Sequence, residues 1–171
     1  MFLISSVNLF AQDADVNPYR LKSAYLVKIC KITTWKDEGL RSNKTFKIYT
    51  IGESLDSKGI IVRKDVLING KSVEVINVKS IIDLPSKIDL IDVIYIYKLP
   101  EDNLIELLKL VETKNVLTIS ENDGFGNLGV IINFIIENDK VVFEINRYAE
   151  LKSQITLKSF IYKLKSAKVI D

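Results

Sequence analysis

The chain reads as an α/β domain: a mainly parallel sheet flanked by helices, with an antiparallel C-terminal hairpin and a final helix. Three observations predict this class. Strand-like and helix-like segments alternate as far as Ser120, an order that implies right-handed crossovers and parallel strands. Val93-Ile94-Tyr95-Ile96-Tyr97 is apolar on both sides, as in a sheet covered on both faces. Beyond it, two strand-like runs flank Asn138-Asp139, a pair suited to a tight turn.

Each element has its own signal. Asn17-Pro18 caps and starts a helix, whose apolar face runs through Leu21, Ala24, Tyr25, Ile29 and Ile32 to about Trp35. Residues 37–43 are polar loop, and residues 46–52 are a first core strand closed by Gly52. Ser54 caps a helix toward Val62, and Asn69-Gly70 marks a turn. Residues 73–78 alternate as a second strand, residues 80–84 suggest a short helix, and residues 93–97 are the third strand. Pro100-Glu101-Asp102 opens the clearest helix, with acids in the first turn where the helix dipole favours them. Its buried side is Leu104, Ile105, Leu107, Leu108 and Val111, and residues 116–119 are the fourth strand. A last helix over about residues 149–167 presents Leu151, Ile155, Phe160, Ile161 and Leu164. With no internal repeat or linker, residues 16–168 form one domain.

At 171 residues the chain is long enough for one sizeable core. A net charge of +2 with scattered lysines gives no electrostatic footprint for nucleic acid. Histidine is absent, which excludes a Ser-His-Asp triad, a Cys-His pair, a histidine-bearing zinc site and an imidazole proton shuttle. Cys30 is the only cysteine, so there is neither an intrachain disulfide nor a thiolate metal cluster. Nothing implies a cofactor or a metal.

Residues 1–11, MFLISSVNLFA, are apolar and uncharged, and Leu9-Phe10-Ala11 fits a signal-peptidase site. The basic region that normally precedes such a segment is missing, so this is a truncated leader or else a short apolar N-terminal element. No other run is long enough to span a bilayer, so a cleaved product would not itself span the membrane.

The most informative segment is residues 116–146, which hold Gly124-Phe125-Gly126-Asn127-Leu128-Gly129 after a strand. A dinucleotide-binding turn of the form G-x-G-x-x-G must open a helix, so that the helix N-terminus meets the pyrophosphate. Here Val130-Ile131-Ile132-Asn133-Phe134-Ile135-Ile136 follows, β-branched and aromatic, which argues for a strand. Gly124, Gly126 and Gly129 are therefore structural turn residues that feed a hairpin.

Only acidic residues remain for acid–base work. Glu53, Glu121 and Asp123 follow strands, at the carboxyl edge where open α/β sheets bind ligands. The same Glu121-Asn122-Asp123-Gly124 also has the chemistry of an ordinary turn. Trp35 either plugs a core edge or anchors a partner. Phe125, between two glycines, either folds back onto the domain or is displayed for contact. Trp35, Glu121, Asp123 and Phe125 are thus the candidate partner- or ligand-binding residues.

Several segments together resemble the YfiR (HmsC-like) family. Ala24-Tyr25-Leu26-Val27-Lys28-Ile29-Cys30-Lys31-Ile32-Thr33-Thr34-Trp35 is similar to that family's early A-F-L-x-N-F-x-K-F-x-x-W-P helix. The strand ending at Gly52 and Leu67-Ile68-Asn69-Gly70-Lys71-Ser72-Val73 match its next two segments. Residues 116–120, Gly124-Phe125, residues 129–132 and residues 142–146 resemble the block V-L-T-V-S-x-x-x-G-F-x-x-x-G-G-x-I followed by V-x-F-E-I-N. Ile155, Leu157, Ser159, Ile161 and Leu164 match its final segment. Departures are Lys28 for Asn, Lys36 for Pro, Ile91-Asp92 for a frequent Cys-His, Val130 for the second Gly and Lys158 for Ser.

The resemblance implies an exported, periplasmic regulator without catalysis. Relatives restrain an inner-membrane diguanylate cyclase by binding its periplasmic sensor portion, and others occur with membrane sensor kinases. The implied partner is an inner-membrane signalling protein of the cyclic-di-GMP or sensor-kinase type, with a homodimer left open. The alternative is a periplasmic protein that senses a small ligand at the carboxyl edge of the sheet.

Overall fold

The computed structural model describes residues 17–36 and 45–170. The leader expected at residues 1–11 and the polar loop at 37–43 lie outside these residues. The sequence-predicted class is the observed one: a mixed, mostly parallel sheet with helices on its faces and an antiparallel hairpin near the C-terminus.

Helix α1 (Pro18–Ile32) starts where Asn17 accepts the Tyr19 N–H at 2.9 Å, with proline in the first turn. It stops three residues short of the expected end, because Thr33–Trp35 leaves the helix as strand β1. Strands β2 (Thr45–Gly52), β3 (Leu67–Ile68), β4 (Lys71–Val78), β5 (Val93–Tyr97), β6 (Leu117–Ser120), β7 (Ile132–Glu137), β8 (Lys140–Asn146) and β10 (Ala167–Ile170) form one sheet. Its spatial order is β10-β8-β7-β6-β5-β2-β4-β3. The five strands from β4 to β7 run parallel, while β3 and β8 are antiparallel to their hairpin mates. Both hairpins turn on left-handed pairs, Asn69-Gly70 and Asn138-Asp139, the backbone that matches strand twist.

The alternation of β5 divides the core into two layers. Val93 and Tyr95 face α1 together with Phe46, Ile48, Leu117, Ile119, Ile132, Phe134, Phe143 and Ile145. Ile94 and Ile96 face the other way, toward Leu104, Leu107 and Val111 of helix α2 (Glu101–Val111). Tyr25 of α1 stacks on Phe134 and meets Phe143 edge-on at 5.5 Å, arrangements worth about 0.5–1.5 kcal/mol beyond area burial.

Two helix expectations are corrected in extent. The segment after Ser54 makes only one 3-10 turn, Asp56–Lys58, because Gly59 turns left-handed and the Ile60 N–H reaches back to the Leu55 carbonyl. Its N-cap is Leu55 rather than Ser54, whose hydroxyl oxygen accepts the Ser57 N–H at 3.3 Å from one residue further back. The final helix is α3 (Arg147–Lys152), not the long element over 149–167. The chain then forms β9 (Ile155–Leu157), antiparallel to β1, a 3-10 turn at Ser159–Lys163, and β10. The buried carboxylate of Glu150 is the physical reason. It accepts the Leu157 N–H at 2.9 Å and the Arg147 and Tyr162 donors at 2.5 Å, bonds that hold the strand back against α3. The apolar spacing that suggested one helix splits accordingly: Ile155 and Ile161 are buried, Leu151 and Phe160 exposed.

Candidate functional site

The parallel order β4-β2-β5-β6-β7 changes direction between β2 and β5, and ligands of open α/β sheets bind outside the strand ends at such a point. In this protein the two ends close on each other. A Cβ on Gly52 would lie 1.8 Å from the Tyr97 carbonyl oxygen, and the Lys98 ammonium pairs with Glu53 at 2.8 Å across the mouth.

Beside it, Glu121 leaves the carboxyl end of β6 and turns toward α1. Its carboxylate is paired with the Lys22 ammonium and accepts the Tyr95 hydroxyl at 3.1 Å. Both members of the ion pair are almost wholly buried. Burial first, and the Glu121 charge second, push the Tyr95 phenol well above its ordinary pKa, so Tyr95 donates its proton to this bond throughout the neutral range. A carboxylate held by an ammonium on one oxygen and a hydroxyl on the other is a strut between α1 and the sheet.

The glycine block is the crossover from β6 to β7. Parallel neighbours need a connection that returns across the sheet, and a helix usually provides it. Here residues 121–131 do so with a single coil of turns. The Leu128 N–H reaches the Gly124 carbonyl, while the N–H groups of Gly129 and Val130 reach the carbonyls of Gly126 and Phe125. The last two bonds form a Schellman cap, with Gly129 at φ +112° in the left-handed position that the cap requires. Phe125 is buried among Ile94, Ile96, Leu104, Leu107 and Val130, under α2.

Polar side chains of the sheet hold this coil down. The Asn146 amide donates to the Gly126 carbonyl at 2.9 Å, and its oxygen accepts the Ala149 N–H at 2.7 Å as the cap of α3. The Asn133 amide donates to the Asn122 carbonyl and to Glu144, both at 3.0 Å. Thr118 accepts the Ile131 N–H at 2.9 Å. Gly126 lies so close to β8 that a Cβ would sit 2.6 Å from Glu144 Oε2. The inward polar residues of the Phe-Glu-Ile-Asn strand therefore exist to receive the glycine coil, while Phe143 and Ile145 serve the α1 core.

Beside the coil, α2 and α3 leave an apolar groove of about 370 Å³. Val116, which precedes β6, and Ile131, which precedes β7, form part of its floor, so it opens at the amino ends of these strands.

Of the residues singled out by sequence, Glu121, Asp123 and Phe125 come together on this crossover, and Trp35 does not. Trp35 is buried at the amino edge, donating to the Asp92 carbonyl at 3.2 Å and meeting Phe46 edge-on at 5.3 Å. Phe125 folds back onto the domain, and Asp123 alone of the four is exposed. Lys22, Thr118, Asn133, Glu144 and Asn146 were missed. Glu144 and Asn146 share a face at period two, a polar stripe on an otherwise core-quality strand that could have been noticed. Lys22 carried no such signal, since its burial depends on Glu121 ninety-nine residues away. Cys30 is fully buried, and burial followed by Asp92 raises its thiol pKa far above the ordinary 9.0, which leaves no thiolate for reaction.

These features define a class: an α/β sheet domain whose β6–β7 crossover is a capped glycine coil pinned by asparagines, rather than a helix opening on a phosphate. The chain belongs to the YfiR/HmsC-like family, whose model matches residues 19–164. That family is one of periplasmic regulatory proteins and is known as regulatory rather than catalytic. Comparison with curated proteins gives no match. Among the described residues no helix is long and apolar enough to cross a membrane, and no cluster of His, Cys, Asp and Glu could hold a metal ion.

Proposed function

We propose that this protein is a non-catalytic periplasmic regulator that binds the outer part of an inner-membrane signalling protein, a diguanylate cyclase or a sensor kinase, and restrains its output. The observation that carries the reading is membership of the regulatory family over nearly the whole chain. The state of the acidic candidates agrees with it. Glu121 is committed to Lys22 and Tyr95, and Glu53 to Lys98, so neither stands as a general base awaiting a substrate. In this reading Asp123, exposed on the glycine coil, touches the partner. Phe125 and Glu121 position that coil from below, and Trp35 braces the opposite edge.

In-cell crosslinking from a photoreactive residue at position 123, followed by identification of captured proteins, tests the proposal. Capture of an inner-membrane signalling protein is the expected result. Recovery of soluble enzymes alone, or a cytosolic location of the chain, would sink it.

A further inference from the structure

We infer that the groove between α2, the glycine coil and α3 is a binding site for a small alkyl carboxylate, a medium-chain fatty acid or a molecule of that shape and charge. Its volume of about 370 Å³ falls within the range of small-molecule sites, which are apolar with a few polar groups at the edge. Aliphatic side chains make its walls, among them Leu108, Val111, Val116 and Ile131. An alkyl chain matches such a lining, because it gains burial without leaving a polar atom unpaired.

The groove is built by the glycine coil. Gly129 forms part of its wall, where a Cβ would meet Leu108 Cδ1 at 3.5 Å. Asn146, which pins the coil, also caps α3 on the far side. Both walls therefore hang on one asparagine, and the groove keeps its shape as the coil keeps its place.

Charge at the rim selects the head group. Two cations, Lys109 and Lys152, face one carboxylate, Glu112. Lys152 is already engaged, paired with Glu112 at 2.5 Å and lying 4.6 Å from the centre of the Tyr148 ring. The Lys109 ammonium has no ion-pair or hydrogen-bond partner among the described residues. The rim thus carries one unmatched positive charge above an apolar floor, the complement of a chain that ends in a carboxylate. This site lies on the amino side of the strands, away from the closed switch point, and stands independently of any macromolecular partner.

The test is calorimetric titration of octanoate into the purified full chain, with 1-octanol as the neutral comparator. Saturable binding of one octanoate per chain is expected, about tenfold tighter than octanol, a ratio of the size that one charge-assisted contact gives. Lys109→Glu, on an exposed helical position, should weaken octanoate about tenfold and leave octanol unchanged. Leu128→Trp, at the groove wall and already partly exposed, should block both ligands without unfolding the domain. Absence of saturable octanoate binding would overturn the proposal, as would equal affinity for octanol or indifference to Lys109→Glu. Protection of the groove from deuterium exchange only when a captured polypeptide is present would assign it to that polypeptide, and would overturn the proposal as well.

Discussion

A methyl group on Gly126 would stand 2.6 Å from Glu144 Oε2 and 3.0 Å from Ile170 Cδ1. The glycine is favoured by these side-chain contacts and not by its backbone, which is not left-handed. Gly126→Ala must push the Glu144 carboxylate aside and break its bond from Asn133. A loss of about 1–3 kcal/mol is expected, as for overpacking elsewhere, with part of it recovered by adding Glu144→Ala. Gly124, at φ +80° with nothing within 4 Å, should lose only the left-handed penalty of about 1–2 kcal/mol as alanine. Urea unfolding of the three variants checks this; an unchanged midpoint for Gly126→Ala would contradict the packing.

The Lys22–Glu121 pair invites a double-mutant cycle. Glu121→Gln alone leaves a buried ammonium without its counter-charge, and should cost about 3–5 kcal/mol. Lys22→Met in the same chain removes the stranded charge while the substituted amide oxygen still accepts from Tyr95. The double variant should therefore lie closer to the wild type than the single. A double variant whose loss equals the sum of the Glu121→Gln loss and that of Lys22→Met alone would show that the two groups do not interact. Because Glu121→Gln weakens the fold, loss of an activity in that variant would say nothing about catalysis.

Phe125 and Asp123 should separate packing from surface. Phe125→Ala empties a buried ring site and is expected to cost about 3–5 kcal/mol. Asp123→Lys, on an exposed position, should stay within about 0.5 kcal/mol of wild type yet reduce capture of the membrane partner. Thermal denaturation and crosslinking yield, measured on both variants, decide. Normal capture by Asp123→Lys would remove the coil from the contact surface.

Alkaline pH should destabilise the protein partly through Cys30. The folded thiol keeps its proton far above the ordinary 9.0, whereas the unfolded chain releases it near pH ~8.5. Above that point the unfolded state binds fewer protons than the native one, so stability falls as pH rises, by up to about 1.4 kcal/mol per pH unit for this group. Below it the contribution is fully present. The Tyr95 phenol, also raised by burial, adds to the fall at higher pH. Cys30→Ala should flatten the dependence of the urea midpoint between about pH 9 and about pH 11. Parallel curves for the two proteins would refute the assignment.

The amino-acid sequence by itself determined the parallel core strands, the start of both long helices and the turns at Asn69-Gly70 and Asn138-Asp139, because those signals are local: periodicity, proline, caps and turn dipeptides. It also showed that the glycine block was no nucleotide cradle, since the residues after it favour a strand. Tertiary structure alone decided where most of the helix-like pattern over 149–167 went. Glu150 recruits Leu157 and Tyr162, seven and twelve residues further on, polar bonds that override an apolar spacing compatible with a helix. It likewise decided that Glu121 is a strut, that Phe125 points inward and that a groove opens beside Gly129. Each depends on which residue from a distant segment occupies the other side, and no window along the chain contains that information.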